Sequence, residues 1–421
     1  GIYMKHIVIE GGYPLSGSVS ISGAKNSAVA ILPAALLADG IINIDNVPNI
    51  TDRDALFDII KVLNCDIVEN GSKVTIDTTK LTNNLIPNDL SVKLRASYYF
   101  MGVLLGRFKH VEIFFPGGCN IGTRPIDMHL DGFKRLGATL RKTKHKYILD
   151  AKELKGNSIY LDFASVGATI NIMFAAVYAK GITTIHNAAK EVEIINIAEF
   201  LNSMGANITG AGTDVITITG STELLKGTEF RIIPDRIEAG TYAIMGALLG
   251  NDFKVNDFIP EHNQALLLKF DEMGVNYRLD NDSIILNKSD NLKAINVKTL
   301  VYPGFPTDLG QPMSVLLTQA EGVSLFEETI WENRMGHMPC LKKMGADITV
   351  NGLSAVIKGK TDLVGTDINA TDLRGGASLI IAGLIASGTT TISDIDYILR
   401  GYEKIIHKLS DCGAKISLEE I

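Results

Sequence analysis

The chain has 421 residues, 46% of them hydrophobic and 21% charged, with a formal net charge of −7. That length calls for two or three domains of about 150–200 residues each. An acidic balance, with a pI near 5.7, excludes a nucleic-acid binder, which needs a basic face against phosphates, and no apolar run reaches the roughly 18–20 residues of a membrane span. Any anionic ligand must therefore be held by a local cluster of Lys and Arg. No charged-then-apolar signal segment opens the sequence, so a cytoplasmic protein is expected, and Gly1-Ile2-Tyr3 ahead of Met4 reads as a cloning remnant. The four cysteines, Cys65, Cys119, Cys340 and Cys412, form no C-x-x-C pair, which argues against a metal site or a disulfide framework.

Along the chain, six helices are expected to open on small or polar residues and then run apolar. They begin at Ser22–Asn26, Leu94–Ser97, Ser165–Thr169, Arg236–Thr241, Pro306–Gly310 and Asp372–Gly376, with ends near Gly40, Gly106, Gly181, Gly250, Gly322 and Gly388. A β-rich segment follows each, such as Ile41–Ile44 or Thr389–Ile392. A second helix in each unit is expected to stop at an apolar-Gly-Ala-x-apolar pattern: Leu136–Leu140, Met204–Ile208, Met344–Ile348 and Cys412–Ile416, with looser copies at Met273–Tyr277 and Leu63–Ile67. Copies about 70 residues apart are too long for a solenoid and suit one compact multi-element unit. The expectation is an α/β fold of six β-α-β-α-β-β units, arranged as two domains of three.

The chemistry concentrates in loops and helix starts. Pro116–His129 reads PGGCNIGTRPIDMH, with glycines that let backbone approach a ligand and a cation, Arg124, near Cys119 that favours thiolate. A helix N-terminus offers free N–H groups to an anion, and five of the six helix starts carry an ionisable residue: Lys25, Arg95, Arg236, Asp308 and Arg374. Arg124, Arg334 and Arg400 fall in equivalent loops ahead of the second helices. A solvated surface arginine is the ordinary reading of each, and equivalent placement in repeats favours convergence.

The segments SGAKN at 22–26, LRAS at 94–97, PGGCNIGTRPIDMH at 116–129, SVGAT at 165–169, PDRIEAGTY at 234–242, FPTDL at 305–309, ENRMGH at 332–337, TDLRGGASL at 371–379 and RGYEKI at 400–405 resemble, in order and over the whole chain, the UDP-N-acetylglucosamine 1-carboxyvinyltransferases. These are the enolpyruvyl transferases of bacterial cell-wall (peptidoglycan) synthesis. The resemblance implies a two-domain inside-out α/β barrel, residues 25–233 in one domain and 1–24 plus 234–421 in the other, with the active site in the cleft between them. It implies transfer of enolpyruvyl from phosphoenolpyruvate to the 3′-hydroxyl of UDP-N-acetylglucosamine, by a monomer without metal or organic cofactor. Cys119 is then the acid, and the residue modified by a pyruvate adduct or an epoxide phosphonate. Asp308 is the base, and Lys25 joins them as the third catalytic residue. Lys25, Arg124 and Arg400 surround the phosphate; Arg95, Arg334 and Arg374 are neighbouring ligand or closure residues. Asn26, Pro125, Ile126, Asp127, Met128, Ser165, Val166, Gly167 and Ile330 contact substrate.

Two places depart from the family pattern. Phe163 and Ala164 stand where a basic residue precedes Ser-Val-Gly, and Trp331, the one tryptophan of the chain, stands where Phe or a smaller residue is usual; a loop Trp is otherwise a core anchor. A shikimate-type enolpyruvyl transferase would lack the PGGC loop, and a non-catalytic nucleotide-sugar binder would not need both an acid and a base. An RNA-end-processing relative would need a basic groove.

Overall fold

In a computed structural model, the structure describes residues 4–50, 53–93, 98–114, 126–370 and 376–420. Cys119, Arg95, Arg124, Pro125 and Arg374 lie outside the described residues. The chain divides into two compact units, Gly23–Ile233 (the inner unit) and Gly1–Ser22 with Pro234–Ile421 (the split unit).

Three helices form the centre of each unit. In the inner unit these are Lys25–Ala34, Tyr98–Phe108 and Val166–Ala176; in the split unit they are Arg236–Leu249, Gly310–Thr318 and Gly376–Ile385. Most of their residues are buried on every side, as all-round hydrophobic helices must be. Small residues set how closely they pack. A Cβ on Gly102 would lie 2.1 Å from Asn171 Oδ1, and one on Gly106 2.7 Å from the Phe174 carbonyl, so the Tyr98–Phe108 and Val166–Ala176 helices approach through the glycines. The Tyr98–Phe108 helix ends close to the stop expected near Gly106, and Lys109 reverses the chain with φ +59°.

The outer helices are Arg53–Val62, Asp127–Arg135, Val192–Ser203, Gln264–Met273, Met338–Lys343 and Ile405–Asp411. All six end alike. Asn64, Gly137, Gly205, Gly274, Gly345 and Gly413 take φ between 65° and 112°, and the next N–H reaches a carbonyl five residues back, as Ala138 does to Phe133 and Ala346 to Leu341. That bond satisfies a free helix carbonyl and turns the chain into a strand. Eight residues before each turn stands a buried side chain: Leu56, His129, Ile197, Leu266, His337 and Ile405. Four copies fill this core position with an aliphatic residue and two with histidine.

Each unit carries three main sheets. Ser158–Tyr160, Ile182–His186, Asn207–Thr209 and Val215–Thr219 show the plan: a parallel pair, then an antiparallel hairpin. Two sheets borrow their parallel strand from across the sequence. Ser18–Ser20 pairs with Phe253–Asn256 in the split unit, and Glu229–Arg231 pairs with Ile41–Asp45 in the inner unit. A third, around Thr389–Ser393, is completed by Lys5–Glu10, which lies between that strand and Lys415–Glu420. Beside the chain crossing at Ser22, buried Glu238 accepts from Lys408 Nζ at 2.8 Å and from the Ser22 N–H at 3.4 Å. Burial pushes its carboxyl up, and Lys408 draws it back.

Candidate active site

In the inner unit the expected residues lie at helix starts. Lys25, half-buried, and Asn26, exposed, open the Lys25–Ala34 helix. Ser165 caps the next: its Oγ accepts the Ala168 N–H at 3.1 Å, leaving Val166 and Gly167 half-buried in the first turn. Ile126 is buried, and Asp127 and Met128 begin the Asp127–Arg135 helix. A cavity of about 460 Å³ opens beside Met128, with Tyr160 and Asp162 on its wall. Phe163, next along, is 51% exposed.

Asn171, which the sequence reading missed, joins these starts. This fully buried amide accepts the Gly102 N–H at 2.8 Å and donates to the Tyr98 carbonyl at 2.8 Å and to His129 Nδ1 at 2.9 Å. His129 must then carry its proton on Nε2, and its ring lies against Gly167, where a Cβ would be 3.2 Å from Nε2. Asn171 thus fixes the Asp127–His129 and Ser165–Gly167 segments together and anchors the helix that follows Leu94–Ser97. Burial lowers the His129 pKa to about 4, so the ring is neutral at pH 7.

In the split unit Asp308 sits on the 3₁₀ turn Thr307–Leu309. Its half-exposed carboxylate is met at 2.8 Å by Arg334 Nη1, whose side chain is only 5% exposed. Arg334 is thus buried, where a loop position suggested solvent. The Gln311 amide donates to its carbonyl at 3.1 Å, and Ser314 Oγ, 2.7 Å from His337 Nε2, donates to the Gln311 carbonyl at 2.6 Å. His337 therefore carries its proton on Nε2, and burial lowers its pKa to about 3. Ile330 is half-buried; Trp331 is 50% exposed, no core anchor, with the Arg334 guanidinium 6.0 Å from its ring. Arg400 is exposed and lies in a short helix, Asp396–Gly401, where a loop was expected.

Among the described residues no group of three or more His, Cys, Asp or Glu could hold a metal ion, and no helix is long and apolar enough to cross a membrane.

Polar side chains are thus gathered at helix starts in both units of an α/β repeat fold. Residues 9–409 match the family of EPSP synthase (3-phosphoshikimate 1-carboxyvinyltransferase). The chain is 50% identical over 418 residues, 99% of its length and 97% of the relative's, to UDP-N-acetylglucosamine 1-carboxyvinyltransferase 2 of Oceanobacillus iheyensis. It is 50% identical to the protein of that name from Staphylococcus aureus strain MRSA252, covering 99% of each. The enolpyruvyl transferase NikO from Streptomyces tendae superposes with a TM-score of 0.88 at 26% identity, covering all of both chains. EPSP synthase from Acinetobacter baumannii shares the fold with a TM-score of 0.77 at 19% identity, covering 99% of this chain and 100% of its own. The chain belongs to the enolpyruvyl (carboxyvinyl) transferase family and is a transferase.

Proposed function

We propose that the protein transfers the enolpyruvyl group of phosphoenolpyruvate to the 3′-hydroxyl of UDP-N-acetylglucosamine and releases phosphate, a step of peptidoglycan synthesis in the cytoplasm. The observation that carries this reading is Asp308: a half-exposed carboxylate held at 2.8 Å by a buried guanidinium, in a chain half identical along nearly its whole length to proteins named for that reaction. The reaction needs a proton delivered to C3 of the enol, which makes C2 electrophilic, and a proton taken from the sugar hydroxyl as its oxygen bonds C2. Loss of the phosphate from C2 and of a proton from C3 restores the double bond.

In this reading Asp308 accepts or orients the hydroxyl proton, and Cys119 supplies the proton to C3. Lys25, Arg124 and Arg400 neutralise the phosphate, while Arg95, Arg334 and Arg374 assist binding and closure. Fixed cations act most strongly on developing negative charge where water is excluded. Asn26, Pro125 to Met128, Ser165 to Gly167 and Ile330 hold the acceptor, and the cavity beside Met128 is of a size to take a nucleoside. No second chain and no cofactor is required.

The test is phosphate release with both substrates, one alone and neither. Cys119→Ser should lose most turnover at pH 7–8, on the order of a hundredfold or more, because a hydroxyl is a far weaker acid than a thiol. Cys119→Asp should keep activity with a lower pH optimum, since a carboxyl gives up its proton at lower pH. Release that needs a different acceptor would overturn the substrate, and a Ser variant as fast as the parent would overturn the acid. Residues of both units must reach one pair of substrates, so small-angle scattering should show a smaller radius with nucleotide sugar bound.

A further inference from the structure

Glu328 is 2% exposed, and four donors meet its carboxylate. Oε2 accepts from Thr299 Oγ1 at 2.6 Å, from the Ile330 N–H at 2.9 Å and from the Trp331 N–H at 3.4 Å; Oε1 accepts from Thr307 Oγ1 at 2.6 Å. Thr299 in turn accepts the Thr329 N–H at 3.0 Å. A buried carboxylate is tolerated only when its lone pairs are filled in this way. The placement of those donors is what gives it a role. Thr307 is the residue before Asp308, and Ile330 and Trp331 begin the loop whose Arg334 returns to Asp308. Two links thus join the same two segments, one through Glu328 and one through the Asp308–Arg334 pair.

We infer that Glu328 is a positioning residue: through Thr307 it sets the backbone that presents Asp308, and through Ile330 and Trp331 it holds the facing loop, so that Asp308 and Ile330 meet the acceptor in one geometry. Glu328 touches no reacting atom. The inference rests on the reading of Asp308 as the group that meets the sugar hydroxyl. It accounts for two adjoining hydroxyl residues, Thr299 and Thr307, brought to one buried carboxylate from separate segments; packing alone would be served by an apolar residue at 328.

Thr307→Val keeps the side-chain shape and removes only the donor to Oε1. We expect kcat to fall at least tenfold with KM for phosphoenolpyruvate within about twofold, and Thr307→Ser to restore it, since displaced acid–base groups lose much of their contribution. In an Asp308→Asn background, Thr307→Val should cost nothing further. The same loss in both backgrounds, or parental turnover in Thr307→Val, would overturn the inference. A substrate-free measurement keeps the two readings apart. In Glu328→Ala, or Glu328→Gln should that variant not fold, amide exchange at Ile330 and Trp331 should quicken at least tenfold and acrylamide quenching of the single tryptophan should change. Unchanged exchange and quenching overturn the bracing by Glu328, whereas a parent enzyme without turnover overturns the reaction and leaves the bracing to be decided by exchange and quenching.

Discussion

The two units solve one problem with opposite chemistry. Each places a histidine, His129 or His337, at the core position where the other four repeats carry Leu or Ile, and each ties the start of an outer helix to a central helix through it. In the inner unit the node is neutral: the Asn171 amide, an uncharged imidazole and backbone groups. In the split unit it is ionic: Glu328, Arg334 and Asp308. A neutral node can be buried whole and only fixes geometry. An ionic one can hand a charge to the surface, and Asp308 is where the split unit does so, its carboxylate half exposed while its partner is sealed.

The largest test of this contrast is Asp308→Ala. If the ionic node serves chemistry, turnover should fall by roughly two to four orders of magnitude, and the buried Arg334 guanidinium left without its partner should also lower stability, by up to about 3–5 kcal/mol. A variant that melts much earlier yet turns over normally would make the node structural. Asn171→Leu should do the reverse in kind. It strands the Gly102 N–H, the Tyr98 carbonyl and one face of His129 inside the core, at about 1–3 kcal/mol for each unsatisfied group, so early melting should dominate. Gly102→Ala, whose Cβ would lie 2.1 Å from Asn171 Oδ1, should share that phenotype.

A smaller effect separates the histidines from their aliphatic counterparts. Burial depresses both pKa values, to about 4 for His129 and about 3 for His337. The unfolded chain therefore takes up protons that the folded chain refuses. Stability is fully present above the ordinary value near pH 6.5 and is lost as pH falls through the interval down to about 4 and 3, at about 1.4 kcal/mol per pH unit for each ring. His129→Leu, the residue of the equivalent position at 56, should flatten this dependence in urea unfolding at pH 5 and pH 7; an unchanged slope would mean that the ring is not held neutral. The smallest effect concerns Phe163. Restoring a basic side chain with Phe163→Lys, on an exposed site, should lower KM for the nucleotide sugar by a few-fold at low salt and leave kcat alone, as a surface charge contributes about 1 kcal/mol or less.

The recurring features of this molecule were legible because they are local. A left-handed residue after a helix announces itself as glycine in five copies, and the asparagine at 64 fits the same geometry. The helix starts at 25, 165 and 236 were equally plain. Glu328 and Asn171 were not, because Glu328 joins its neighbours to hydroxyls 21–29 positions away and Asn171 acts on partners 42–73 positions away, and a single buried polar residue has no periodicity to betray it. Glu328 reads in sequence as the second of two adjacent acids. Gly106 stands near the helix end as expected and is also a point of close helix approach, a second role that only the neighbouring helix shows. The borrowed strands at 18–20 and 229–231 are three residues long, too short for alternation to show.

The strand Lys5–Glu10 has a consequence for synthesis. It sits between two strands near the far end of the chain, 389–393 and 415–420, so the first residues to leave the ribosome wait for the last before their sheet can form. Residues 23–233 meet no such delay, since every strand of their three main sheets is on hand once Arg231 has emerged. Because domains fold as units in the order they are made, the inner unit is complete while the split unit is still an unpaired N-terminal strand followed by a growing tail. A nascent chain of which only residues up to about 240 have emerged should already protect the inner unit from protease, and leave residues 5–20 open to it.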